Sequence, residues 1–474
     1  MPPASHGNLY QQVAHDIADS VHKGAYLPGD KMPSLRQLSG RLGVSISTVT
    51  QAYRLLESQG VVEVRPQSGY YVSARSRPPE PAISRPRPRP TPVSTGDLIA
   101  SMLQLPSSPD HIQLAVATPP PDLLPTRKIN RLLGLIGREQ PQLGANYDLP
   151  PGRLELRAQI ARLSTAGGCH PQVDDIVITS GCQEALTLCL RAVARAGDTI
   201  AVESPTYYGL LQAIEALGMH ALEIPTHPRD GVCLEELEQA IGRWPIKACL
   251  FIPNHGNPLG SRMPDENKRR LVALLARHGI PLIEDDAYGD LHFHGIRPRT
   301  CKSYDEEGLV LLCSSFSKTL GPGYRVGWTM PGRHLRQVSH LQGLTHTTAS
   351  PLQQLAIARF LAKENYQAHV QRLRVAYARQ VEMVTRAVGQ HFPPSTRVTQ
   401  PAGGSVLWLE LPPAVDTVKL YHRAREHGIS FAPGVVFTAQ RRYRNCLRLN
   451  CAHPWNERLA WAIATLGRLA REML

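Results

Sequence analysis

No apolar run among the 474 residues approaches the ~18 that a membrane-crossing helix needs, and the amino terminus lacks the apolar core of a signal peptide. These absences argue against membrane association and make the cytoplasm of a prokaryote the simplest location. No internal repeat is apparent, which removes solenoids and propellers from consideration. The nine cysteines are odd in number and contain no CxxC pair, so neither a disulfide framework nor a zinc site is expected, and no metal is assigned. What is present is ordinary for a globular protein: 42% hydrophobic residues, and enough length for two or three domains. The formal charge of +13 suits a nucleic-acid partner. Residues 1–92 carry 11 Lys/Arg against 6 Asp/Glu, so more than half of the excess lies further along the chain.

The first seventy residues read as a DNA-binding unit. Ser34-Leu35-Arg36-Gln37-Leu38 with Leu42 make a short amphipathic helix, and Gly43-Val44 turns the chain. Ser45 is a good N-cap for a second helix, whose Val49, Ala52, Tyr53 and Leu56 keep helical spacing. Two helices joined by a glycine-containing turn read as helix-turn-helix, which places Ser45, Ser47 and Thr48 at the start of the recognition helix, where base edges and phosphates are met. Val61 to Arg65 and Gly69 to Val72 alternate like two short strands around a Pro/Ser/Gly turn, as a wing does. Residues 73–97 follow, rich in proline and arginine; they are expected to form an extended basic spacer that does not pack and spans up to roughly 70 Å.

The remainder carries a different chemistry. Lys318 sits in SSFSKTLGPGYRVGW, directly after the apolar run 309–313, so the amine is expected at the carboxyl end of a buried strand, where open α/β sheets hold cofactors. A desolvated lysine near other cations has a lowered pKa and reacts with aldehydes. The aldehyde implied is pyridoxal 5′-phosphate, which needs that lysine, a carboxylate facing its pyridine nitrogen and a phosphate cup. Asp285 and Tyr288, in EDDAYGDL, are spaced to meet the ring nitrogen and the ring hydroxyl, and Asn257 in IPNHGNPLG lies in a turn that reaches the same hydroxyl. Gly181, Cys182 and Gln183 in TSGCQEAL follow a strand and open a helix, so free N–H groups and the helix dipole face an anion. Ser315, Ser317 and Arg325 add hydroxyl donors and a fixed positive charge.

Strands near 175–179, 199–203, 247–252, 281–284, 309–313 and 325–329 alternate with helical stretches such as Gln183 to Arg195 and Asn267 to His278. The fold class is α/β, with a mostly parallel sheet covered on both faces and, from Gly404 to Leu411, Gly428 to Phe431 and Cys446 to Asn450, a smaller carboxyl-terminal α/β lobe. The expected division is 1–72 for the winged helix, 73–97 for the spacer and 98–474 for the rest, with a large domain at about 150–340 and a small lobe at about 341–474.

On these motifs, residues 110–474 resemble a fold-type I pyridoxal-phosphate-dependent aminotransferase of the aspartate aminotransferase class. The resemblance implies that Lys318 binds the cofactor's aldehyde, Asp285 its pyridine nitrogen, and Asn257 and Tyr288 its phenol oxygen. It further implies that Tyr207 in ESPTYYG stacks on the ring, that Arg448 in CLRLNCAHP takes a substrate carboxylate, and that Tyr147 in NYDLPPGRLELR reaches the phosphate of a neighbouring subunit in a homodimer. Cys182 stands where the class has a phosphate-loop serine, which weakens one donor. LPGDKMPSLRQL, VSISTVTQAY and SGYYV resemble, in register, the GntR winged-helix domain; this implies that Arg36 contacts the DNA backbone and that Gly69 lets the wing tip approach the minor groove. Ile46 stands where the family usually has an arginine, a departure from the resemblance at one backbone contact.

A GntR winged helix joined to an aminotransferase-like domain is the layout of the MocR family of bacterial regulators, which this chain resembles end to end. The resemblance implies a regulator that binds an operator of two half-sites as a dimer and senses pyridoxal 5′-phosphate, alone or with an amine or amino acid. A working aminotransferase with a secondary DNA-binding domain, and a DNA-binding protein that uses the second domain only as a dimerisation scaffold, remain open at this point.

Overall fold

The computed structural model describes residues 9–22, 25–26, 29–58, 60–65, 68–73, 78–94, 96, 99 and 111–474. Its amino-terminal unit consists of α1 (Leu9–His22), α2 (Leu35–Leu42), α3 (Ile46–Ser58) and the antiparallel hairpin β1 (Val62–Arg65) and β2 (Gly69–Val72). Ser34 caps α2 in a capping box with Gln37, and Gly43 closes it in a left-handed conformation with φ 62°. The Thr48 N–H donates to Ser45 Oγ at 3.1 Å and so starts α3. Val49, Ala52, Tyr53 and Leu56 form one fully buried stripe. Each large apolar side chain among them stabilises by about 1.5–3 kcal/mol. Tyr53 stacks on Tyr70 of β2 at 4.5 Å between ring centroids, fixing the hairpin against the helix.

The nine-stranded sheet runs Thr91–Pro92, His220–His227, Thr199–Ser204, Ile246–Phe251, Leu282–Asp285, Val310–Ser315, Gly327–Met330 and Val177–Thr179, with Gly231–Val232 paired off this path to His220–His227. The five consecutive strands from His220–His227 to Val310–Ser315 are parallel to their neighbours, and Gly327–Met330 runs antiparallel. All six residues of Val310–Ser315 are buried, as a strand covered on both faces requires. The strand His220–His227 was not foreseen, because Pro225 and the flanking histidines break the apolar pattern.

The small lobe holds an antiparallel sheet in the order Arg397–Val398, Val406–Glu410, Cys446–Asn450, Ala432–Pro433. It also recruits a distant segment, since Ile112–Gln113 pairs in parallel with Ile429–Ser430. Conversely, the helix Pro351–Lys363 packs through Leu355 and Phe360 with Ile129, Ile136, Leu156 and Ile160 in the large body. The hydrophobic cores therefore do not divide at residue 340: Leu114 and Ala115 join the core of the small lobe, and the helix Pro351–Lys363 joins that of the large domain.

The expected free spacer is corrected by the structure, since residues 78–94 lie on the protein body. Ser84 and Thr226 exchange two hydrogen bonds, of 3.2 and 2.8 Å. Arg87 and Gln440 exchange two more, of 2.8 and 2.9 Å. Trp244 Nε1 donates to Pro88 O at 3.2 Å, Val398 N to Pro79 O at 2.8 Å, and Glu80 pairs with Arg229 at 2.5 Å. Thr91–Pro92 then becomes the edge strand of the large sheet. The same prolines that suggested a spacer explain the docking: their restricted backbone loses little entropy on being held, and its carbonyls remain free to accept. The winged helix is tied separately, through Arg386 Nη2, which donates to Glu57 O in the last turn of α3 at 3.0 Å.

Candidate cofactor cleft and nucleic-acid interface

The carboxyl ends of the strands and one helix start converge on an open cleft of about 790 Å³. Lys318 ends the single 3₁₀ turn that follows Val310–Ser315, and Ser315 Oγ holds that turn by accepting from Ser317 N at 3.4 Å. Its Nζ donates to Ala117 O at 2.7 Å and lies 5.5 Å from the Tyr288 ring centroid. Burial lowers the Lys318 pKa to about 8, more than any neighbouring charge does. Asp285 closes the adjacent strand; its Oδ1 accepts from Ala287 N at 3.0 Å, and burial pushes its pKa up to about 6. The next carboxylate serves another purpose: Asp286 is ion-paired with Arg297 at 2.5 Å and accepts from Asn254 Nδ2 at 2.8 Å.

The anion cradle starts at Gly181, whose φ of +89° suits glycine and where a Cβ would lie 2.5 Å from Arg325 Nη2. Cys182 and Gln183 follow as the first residues of the helix Cys182–Val193 and line the cleft, with N–H groups that have no intrahelical acceptor. Gln183 Nε2 donates to Gly209 O at 2.7 Å, and Arg325 Nη2 donates to Ser180 O at 2.7 Å. The Cys182 thiol lies 3.6 Å from Asp285 Oδ1, so the cysteine that replaces a serine donates to the carboxylate.

Arg448 is fully buried, and among the described residues its hydrogen-bond partners are uncharged: Nη1 donates to Asn257 Oδ1 at 3.3 Å and Nη2 to Ala115 O, while Nε has none. Among the described residues the buried Tyr288 hydroxyl likewise has no hydrogen-bond partner. Tyr207, Tyr288, Asn257, Asp285, Cys182, Gln183, Ser315, Ser317, Lys318, Arg325 and Arg448 all line this one cleft. Tyr147 does not; it is 93% exposed on this chain. The sequence reading missed Tyr208, Leu186 and the segment Val116-Ala117. Tyr208 stood beside a residue already chosen, whereas Ala115 and Ala117 act through carbonyl oxygens, which side-chain identity does not reveal.

On the winged helix, Arg36, Ser45 and Ser47 are exposed and Thr48 half-buried. Ser45 Oγ lies 2.8 Å from Ser47 Oγ and 2.7 Å from Thr48 Oγ1, so the three hydroxyls form one cluster at the start of α3. Gly69 opens β2 with φ +106°. The wing also carries two cations that were not singled out: Arg65 lies 4.3 Å and Lys31 5.8 Å from the Tyr71 ring centroid.

Comparison with known proteins separates the two parts. Residues 9–72 match the family of bacterial regulatory proteins, gntR family, and residues 119–466 match aminotransferase class I and II. The uncharacterized HTH-type transcriptional regulator YjiR of Escherichia coli (strain K12) is 41% identical over 459 residues, covering 97% of this chain and 98% of the relative. The uncharacterized HTH-type transcriptional regulator YdcR of the same strain is 40% identical over 468 residues, covering 98% of this chain and 99% of the relative. The chain belongs to the MocR-type transcriptional regulators. Among solved structures, the aminotransferase part of this MocR-type chain is similar to LysN, an alpha-aminoadipate aminotransferase from Thermus thermophilus complexed with N-(5′-phosphopyridoxyl)-L-leucine. That likeness has 28% identity and a TM-score of 0.74, and covers 80% of this chain and 95% of LysN. The class I and II aminotransferase fold family generally binds pyridoxal 5′-phosphate.

Proposed function

We propose that this MocR-type regulator binds pyridoxal 5′-phosphate in the cleft around Lys318 and that the cofactor, alone or with an amino compound, sets how a dimer of the chain engages an operator of two half-sites. The observation that carries the reading is the convergence on one cleft of an amine with lowered pKa, a buried carboxylate, an unpaired phenol and an anion cradle. That donor set fits the cofactor. Lys318 faces its aldehyde, Asp285 its pyridine nitrogen, Tyr288 and Asn257 its ring hydroxyl, and Tyr207 its ring. Gly181, Cys182, Gln183, Ser315, Ser317 and Arg325 would hold its phosphate, and Tyr147, exposed on this chain, would reach the phosphate held by a second copy in a dimer. When bound, the cofactor supplies an aldehyde that captures primary amines and a ring that draws electrons from them.

The residues divide the remaining work. Near neutral pH an appreciable fraction of Lys318 is unprotonated and its lone pair is available, because charging the amine in this buried position is costly. Asp285 is ionised above about pH 6 and holds a proton at the pyridine nitrogen. Arg448, buried with no counter-charge among the described residues, binds the carboxylate of an incoming amino acid. Arg36 and the Ser45, Ser47 and Thr48 cluster meet the DNA, and Gly69 lets the wing tip approach it.

The presence of Arg448 beside Lys318 also favours turnover as a second reading. One experiment separates the two. Borohydride should fix the cofactor to the full-length protein but not to Lys318→Ala. Cofactor plus amino acid should change the mobility shift of an operator fragment in the wild type only. Covalent labelling of Lys318→Ala would sink the lysine assignment, and steady 2-oxo acid production without any change in DNA binding would favour the enzyme.

A further inference from the structure

One polar cluster beside the cleft has no part in the chemistry above. Ser180 links the strand Val177–Thr179 to Gly181, and each of its polar groups is held by a different partner. Its N–H donates to Glu184 Oε2 at 2.5 Å, its carbonyl accepts from Arg325 Nη2 at 2.7 Å, and its hydroxyl lies 3.0 Å from His346 Nε2. The other ring nitrogen of His346, Nδ1, lies 2.7 Å from Glu184 Oε1. Ser180, His346 and Glu184 thus close a ring of hydrogen bonds that joins the phosphate cradle to the chain leaving the helix Leu335–Thr345. With Nδ1–H given to the carboxylate, Nε2 accepts from the serine hydroxyl when the imidazole is neutral and donates to it when protonated, so the ring survives either state.

We infer that His346 is a positioning residue for phosphate binding, acting through Ser180 and Glu184 on the cradle Gly181, Cys182 and Gln183. The inference rests on the reading of that cradle as the phosphate site. Two effects combine. Fixing Ser180 at its three polar groups fixes the unusual φ of Gly181, and with it the aim of the N–H groups that follow. The carboxylate of Glu184 also sits one turn from a site meant for a dianion, where it would repel the ligand unless compensated. Burial raises its pKa, and the Ser180 N–H, His346 and Arg325 each work against that shift. The imidazole therefore both braces the loop and offsets a charge that the brace requires. Neither Ser180 nor His346 lines the cleft itself, which leaves the pyridine and aldehyde ends of the site outside their reach.

The test compares the affinities of the full-length protein for pyridoxal 5′-phosphate and for pyridoxal, which lacks the phosphate, by equilibrium dialysis. His346→Ala should weaken the phosphate ester by at least about tenfold, the scale of a lost hydrogen bond to a charged group, and leave pyridoxal within about twofold. His346→Ala combined with Glu184→Gln should recover most of the loss, because the uncompensated carboxylate is then gone. Unchanged affinity in His346→Ala overturns the inference, and so does an equal loss for both ligands, which marks general damage. If the wild type itself binds the phosphate ester no more tightly than pyridoxal, the cradle is misassigned and the proposed function falls with it.

Discussion

Two neighbouring aspartates show how little of a residue's role lies in its identity. Asp285 and Asp286 differ by one position on a strand end, so their side chains point to opposite faces. Asp285 reaches the cleft, where among the described residues no cation is bonded to it, whereas Asp286 shares Arg297 and Asn254 in a buried network. Their variants should therefore diverge. Asp285→Asn should weaken cofactor retention by at least about tenfold, as expected for loss of a charge-assisted bond, with little change in melting temperature. Asp286→Asn should keep the cofactor but lower stability by about 1.5–3 kcal/mol, the scale of one charge-assisted bond, because Arg297 loses one carboxylate and keeps Asp290 at 2.6 Å. The pH dependence carries a sign. The folded-state pKa of Asp285 is raised to about 6, so its anion, and with it retention, should fade as pH falls through that value. Asp285→Asn is already neutral and should lack that loss centred near pH 6, keeping only the pH dependence set by Lys318 and the cofactor's own phosphate. Equal effects of the two substitutions on retention would mean that the wrong carboxylate has been assigned to the ring nitrogen.

Elements whose signals are local were legible in the sequence. The cap at Ser45, the turn at Gly43 and the stripe from Val49 to Leu56 each predict α3 independently, and they agree. A prediction for that element follows from which side chains it exposes. Arg36→Ala should weaken DNA binding across sequences and reduce the salt slope by about one, as loss of a single phosphate contact does. Ser47→Ala should instead change which sequences are preferred. Ser45→Ala is a poorer probe, since the same hydroxyl caps α3 and its loss costs about 1 kcal/mol of stability. If titrations over several salt concentrations give Arg36→Ala the wild-type slope, Arg36 touches no phosphate. The elements that escaped the reading depend on distant partners. His220–His227 is a strand because Thr199–Ser204 lies beside it, and Ile112–Gln113 because Ile429–Ser430 does. The cleft side chains were legible as motifs, but the carbonyls of Ala115 and Ala117 that meet Arg448 and Lys318 were not.

For the whole molecule, the docked proline segment changes the geometry of DNA recognition. A free spacer of residues 73–97 would let each winged helix roam up to roughly 70 Å and tolerate almost any separation of half-sites. From Pro79 to Pro92, however, the chain is fastened to both the small lobe, at Val398 and Gln440, and the large domain, at Thr226, Trp244 and Ala221. Only the six peptide steps between Ser73 and Pro79 then separate the wing from the fastened stretch, a reach of at most about 23 Å. Arg386 narrows it further by holding the end of α3. In a dimer of such chains the two recognition helices have a set spacing and a set helical phase. Inserting five base pairs between the half-sites turns one of them by about half a helical turn, out of line with its reading head. Affinity for the extended operator should fall to that of a single half-site, while a ten-base-pair insertion, which restores the phase but adds ~34 Å, should recover binding only if both short stretches are drawn out almost fully and Arg386 releases the end of α3. Mobility-shift titrations on the three spacings decide the matter. Undiminished binding to the five-base-pair variant would show that the segment leaves the body when DNA is bound.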